Sequence, residues 1–118
     1  MSISNSNNFL EQIISTKSGR KFVLFFLKFQ NGCFLSVSED KPMIASLYVS
    51  SSISNKCQTA KVIPNMRDTI FVTSISERIS LMINGFAIVN FAGRKALSVE
   101  EMKEISLRIM DLTNEFQK

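Results

Sequence analysis

The chain contains no histidine, and this absence removes more chemistry than any other feature of its composition. Without an imidazole, Ser-His-Asp and Cys-His arrangements are excluded, as is every zinc site that uses histidine. Cys33 and Cys57 are the only cysteines; they form no CxxC pattern and are too few for a Cys₄ site. They are expected to be free thiols in a reducing cytosol. The four glycines stand apart at 19, 32, 85 and 93, so neither a GxGxxG fingerprint nor a Walker loop occurs. The paired carboxylates Glu39-Asp40 and Glu100-Glu101 have structural explanations. The first pair precedes Pro42 in a turn, and the second opens a helix, where acids favour the dipole. An enzyme is therefore not expected, nor a metal or other cofactor. The longest strongly apolar run, "FVLFFL" at 22–27, is too short to cross a bilayer. The opening "MSISNSNN" lacks a basic region followed by an apolar core, so no signal peptide or membrane partner is expected. Basic residues exceed acidic ones by only 14 to 10, far short of a nucleic-acid footprint.

What is present reads as one domain over residues 1–118, with 1–8 expected to be disordered. Phe9 to Ser15 is either an edge strand or a short helical turn. "KFVLFFLKFQ" at 21–30 is aromatic and β-branched enough for a strand, and "CFLSVSE" runs back from Gln30-Asn31-Gly32 as its hairpin partner. "MIASLYVS" at 43–50 makes a further strand, and "SSISNKCQ" reads as a polar, serine-rich loop. "TAKVIP" at 59–64 is a short strand ended by Pro64, as suits an edge.

"ISLMINGFAIVNFAG" at 79–93 can be read in two ways. Asn84-Gly85 between apolar runs is a hairpin signal, yet it is equally a place for a helix to stop. Ser74-x-x-Glu77 resembles a capping box, and Ile75, Ile79, Met82, Ile83 and Phe86 follow at helical spacing. The helix is therefore preferred, ending at Asn84-Gly85 before a strand "FAIVNFA". "DTIFVT" upstream either joins it, with Asp68 as cap, or stands apart. Ser98-Val99-Glu100-Glu101 is a second capping box. Beyond it Val99, Met102, Ile105, Ile109, Leu112 and Phe116 form one apolar stripe down a C-terminal helix.

The expected fold class is α+β: an antiparallel sheet of about five or six strands with two helices on one face. One helix lies between late strands and the other is C-terminal. Successive side chains of a strand point to opposite faces, and in residues 22–29 neither face is polar. Two helices can cover only one side. The other would leave an apolar patch on the order of several hundred Å², unless loops 51–58 and 64–69 fold over it. Packing against another protein's sheet is the expected solution. Val23, Phe25, Leu27, Phe29, Leu35 and Val37 are the candidate interface residues.

The succession "KFVLFFLKFQNGCFLSVSE", "IASLYVSSS", "AKVIP", "TSISERISLMIN", "FAIVNFAG" and "SVEEMKEISLRIMDLTNEF" resembles the proteasome assembly chaperone 3/4 family from about residue 9 to 116. The resemblance rests on element order, loop lengths and apolar pattern, since no signature motif is present. It implies a non-catalytic protein of cytoplasm and nucleus that forms a heterodimer with a chaperone 3-like sister. The pair would bind proteasome α subunits, notably α5, guide 20S α-ring assembly and leave before the particle matures. Lys17, Arg20, Arg94 and Lys95 are loop cations that could meet acidic residues of an α subunit. Two other classes compete. Roadblock- or longin-like dimeric scaffolds also combine a sheet with helices, but place a helix earlier. A single-stranded nucleic-acid binder would stack bases on Phe22, Phe25 and Phe29, yet only Lys21 and Lys28 neighbour them.

Overall fold

A computed structural model describes residues 8–117. The disorder expected for 1–8 falls outside the described residues except at Asn8, whose carbonyl accepts a hydrogen bond from Lys28 N at 2.7 Å. The elements are β1 (Phe9–Ser15), β2 (Lys21–Phe29), β3 (Gly32–Glu39), β4 (Ser46–Ile53), β5 (Lys56–Ile63), α1 (Thr69–Ile83), β6 (Phe86–Ala92) and α2 (Val99–Gln117). They build one six-stranded sheet in the order β1-β2-β3-β6-β4-β5. The α+β class, the late helix between strands and the C-terminal helix are as expected. One detail differs: β3 and β6 are parallel, while every other neighbouring pair is antiparallel. The chain leaves β5, crosses through α1, and returns in the same direction as β6, which slots between β3 and β4. A helical crossover is what a same-direction return needs.

The turns show why the pieces form. Asn84 adopts the left-handed conformation (φ 51, ψ 54), and Gly85 N donates to Ser80 O at 3.1 Å, so Asn84-Gly85 ends α1. Helix α1 begins at Thr69, so "DTIFVT" belongs to it. Ser74 and Glu77 lie inside and cap nothing; Glu77 instead accepts from the Thr59 hydroxyl at 3.1 Å. Asp68 occupies the N-cap position without a side-chain cap bond. Its carboxylate turns away to accept Leu97 N–H at 3.1 Å, tying the start of α1 to the approach to α2. The Ser98–Glu101 box forms as expected: Glu101 N donates to Ser98 Oγ at 3.1 Å, and Ser98 N donates to Glu101 Oε1 at 2.8 Å.

The serine-rich "SSISNKCQ" is not a loop but the tip of the β4–β5 hairpin. Its two-residue turn, Ser54-Asn55, has positive φ at both positions (54 and 65), the requirement of the tight turn that matches strand twist. Serines suit this strand because α1 presents hydroxyls to them. Ser50 lies 3.0 Å from Ser76 and 2.7 Å from Thr59, so its buried hydroxyl is satisfied.

Both helices cover the same face. Ser50 on β4 meets Ser76 of α1, and Gln12 on β1 accepts from Arg108 of α2 at 2.9 Å. Register aligns Gln12 with Leu24, Val37 and Phe91, and Leu10 with Phe26, Leu35, Val89 and Tyr48. The core fills between these rows and the buried Phe71, Ile75, Ile79, Ile105, Ile109 and Leu112 of the helices. In the expected α2 stripe, Met102 is half-buried and Val99 is exposed; the Phe116 side chain lies outside the described residues.

Candidate interaction face

Among the described residues, no helix lies on the opposite face of the sheet. Register runs one apolar row across five strands: Phe9, Leu27, Phe34, Ile88 and Val49, all half-buried. Phe25 lies in the next row and stacks on Phe9 with ring centroids 5.9 Å apart. Val23 and Leu47 extend the patch on one side. Phe29 and Phe86, 50% and 44% exposed, extend it on the other. A face this apolar is a candidate interaction surface.

One end of it is covered by the chain's own β3–β4 connection. Because β6 separates β3 from β4, residues 40–45 must step across the end of β6. They do so on the helix-free side. Ser38 Oγ accepts Met43 N at 3.1 Å and donates to Met43 O at 3.0 Å. Asn90 Nδ2 donates to Met43 O at 2.8 Å and to Ser36 Oγ at 2.9 Å, while Asn90 Oδ1 accepts Ala45 N at 3.0 Å. Ser36, Ser38 and Asn90 are thus a buried, satisfied polar seam beneath the loop, and Met43 and Ile44 project from it into solvent. Loops 51–58 and 64–69 do not supply this cover. Residues 51–58 are mostly strand, and Asp68 and Arg67 tie the second loop to Leu97, Gly93 and Arg94.

Four of the six expected interface residues, Val23, Phe25, Leu27 and Phe29, lie on the open face. Leu35 and Val37 do not. They pair with Phe26 and Leu24 beneath the helices and are 0% and 1% exposed. The apolar open-face residue of β3 is Phe34, opposite Leu27. The signal for this was present: a two-residue turn at Gln30-Asn31 pairs Phe29 with Gly32, so odd positions on β2 oppose even positions on β3.

The loop cations fare differently from one another. Arg20 is not available to a partner, being 7% exposed at the centre of a buried cluster. Its Nε and Nη2 fork onto Glu39 at 3.0 and 2.7 Å, and Nη1 reaches Glu101 at 2.9 Å. Nη2 and Nη1 also donate to the Lys95 and Ala96 carbonyls at 3.0 and 3.3 Å. All five guanidinium donors are therefore used, and the group lies 5.2 Å from the Phe22 ring centroid. The fork from Arg20 holds the Glu39 carboxyl below the usual carboxylate range. The Ser18 hydroxyl, then Ser98 N–H and Arg20, bring Glu101 down to about 2. Arg94 is exposed and meets Asp40 at 2.9 Å, and Lys17 and Lys95 are exposed at the surface. Burial pushes the Cys33 thiol up to about 12, which leaves it an inert core thiol. Among the described residues no group of three Cys, Asp or Glu side chains could hold a metal ion.

No protein-family model matches the sequence, and no curated protein does either. Among solved structures, a chain from a novel chaperone complex for yeast 20S proteasome assembly superposes with a TM-score of 0.66. The match covers 93% of this chain and 97% of that one at 11% identity. The likeness is one of fold.

Proposed function

We propose that the chain is a non-catalytic assembly chaperone that pairs with a related small chaperone through the helix-free sheet face. Together they bind proteasome α subunits, α5 above all, and promote assembly of the 20S α-ring. The observation that carries the proposal is the row Phe9–Leu27–Phe34–Ile88–Val49, an apolar sheet surface with no helix over it among the described residues. A second sheet laid on that row makes a β-sandwich across the interface, with the inner side chains interdigitating. The Met43–Ile44 loop forms one rim of the seat. Likeness of fold to a chain from a proteasome assembly chaperone complex supports the same reading. The full eight-residue β4 supports the chaperone 4-like role for this chain, with a chaperone 3-like partner. Lys17, Arg94 and Lys95 remain as cations for the α subunit; Arg20 does not. The work takes place in cytoplasm and nucleus.

Affinity capture from native cell extract, read by mass spectrometry, tests this. Wild-type chain should recover proteasome α subunits, α5 included, with one small protein of similar fold. The Leu27→Glu/Ile88→Glu variant should lose the small protein. Capture of neither, or of a set unchanged by the variant, would overturn the proposal.

A further inference from the structure

The helix-covered side of the molecule carries its own apolar surface, separate from the sheet face. Val99 and Leu107 on α2 are each 66% exposed, and Ile70 and Leu81 on α1 also face solvent. Val99, Lys103 and Leu107 follow one another at four-residue steps, so they share one edge of α2. Between that edge and α1 runs an open groove of about 430 Å³, lined by Arg78, Val99, Met102, Lys103, Ser106 and Leu107. A second groove, of about 420 Å³, follows the other flank of α1 past Ile70 and Leu81, with Arg78 on the ridge shared by both.

The charges along these grooves are one-sided. Lys61, Arg78 and Lys103 line them against a single acid, Glu77, which lies on the second groove only. Neither Arg78 nor Lys103 is in an ion pair among the described residues, and the first groove sets both beside exposed apolar side chains. A groove between two packed helices accepts a third helix, its apolar stripe on the exposed hydrophobics and its flanks on the charges.

We propose that the α1–α2 groove docks an amphipathic helix of a protein partner. Apolar side chains of that helix cover Val99 and Leu107, and carboxylates on its flanks meet Arg78 and Lys103. The site lies on the opposite side of the sheet from the open face, so it does not rest on the reading of that face. Both surfaces can be filled at once.

A phage-displayed library of helical peptides, panned against the full chain, tests the proposal. Enriched peptides should carry Asp or Glu beside an apolar stripe, and should shift backbone amide signals around 78–81 and 99–107. Arg78→Glu/Lys103→Glu should weaken them at least tenfold, and Leu107→Ser should weaken them too, both variants melting at the wild-type temperature. Leu27→Glu/Ile88→Glu, on the far side of the sheet, should bind them as wild type does. Failure to enrich any peptide would overturn the proposal, as would enrichment without acidic bias, equal binding to the charge-reversed chain, or shifts confined to β2 and β3. A preference for anionic lipid vesicles over the peptides, lost in the same charge-reversed variant, would replace a protein partner by a membrane surface and overturn it as well.

Discussion

Arg20 Nη1 and Glu101 Oε1 meet at 2.9 Å across 81 residues of sequence, in a site closed to solvent on both sides of the pair. The contact joins the entry to β2 to the first turn of α2, and Glu39 at the end of β3 completes it. Three elements are thus fixed at one point. Arg20→Ala leaves two carboxylates buried without their cation, a situation that costs about 3–5 kcal/mol. Urea unfolding of the variant should show a loss of that order. A loss no larger than the roughly 1 kcal/mol of a surface pair would contradict the buried role.

The same cluster sets the acid response. Glu39 and Glu101 both titrate lower in the folded chain than the roughly 4.3 of an unperturbed glutamate, Glu101 at about 2. Below about pH 5 the unfolded chain therefore binds more protons than the folded one, and stability falls as pH drops toward 2. Ser18→Ala removes the leading cause of the Glu101 shift and should make that fall shallower. Chemical denaturation at a series of pH values measures it; an unchanged profile in the variant would contradict the assignment.

Gly32 and Gly85 stand back to back at the start of the parallel β3–β6 pair. A Cβ on Gly85 would lie 2.3 Å from Asn31 O, and one on Gly32 would lie 2.4 Å from Phe86 O. Phe86 N donates to Asn31 O at 3.0 Å, so the backbones cannot separate without breaking the first link between the strands. Gly85→Ala should lower the urea midpoint by about 1–3 kcal/mol equivalent, as overpacking does, with the slope unchanged. An unshifted midpoint would show that the approach is looser.

Neighbours on β3 should separate stability from association. Leu35→Ala opens a cavity beneath the helices and should cost about 2–5 kcal/mol, leaving partner capture intact where the variant remains folded. Phe34→Glu, on the open face, should leave the unfolding midpoint of the isolated chain within about 0.5 kcal/mol and abolish pairing. The reverse order of effects would place the interface on the wrong side.

Much of the architecture was legible in local signals. The Ser98–Glu101 box, the helical spacing before Asn84 and the Asn-Gly stop each depend on a few adjacent residues, and each formed. The side of β3 that faces outward is legible too, through the two-residue turn at Gln30-Asn31, whose parity puts Phe34 outward and Leu35 and Val37 inward. Other features depended on distant parts of the chain. "SSISNKCQ" looks like a loop until Ser76 and Ser80 of α1 are placed above it. Arg20 looks like a turn cation until Glu39 and Glu101, 19 and 81 residues away, close around it. The insertion of β6 beside β3, and with it the loop strapped over Asn90, follows from strand order, which no local pattern encodes.

The described residues build more apolar sheet than the two helices cover. Light scattering on the isolated protein at micromolar concentration reads that directly. The expected result is a mass above that of one chain, or progressive aggregation, with Leu27→Glu/Ile88→Glu restoring a single-chain mass. A wild-type chain that stays clean, soluble and stable as a monomer would contradict it.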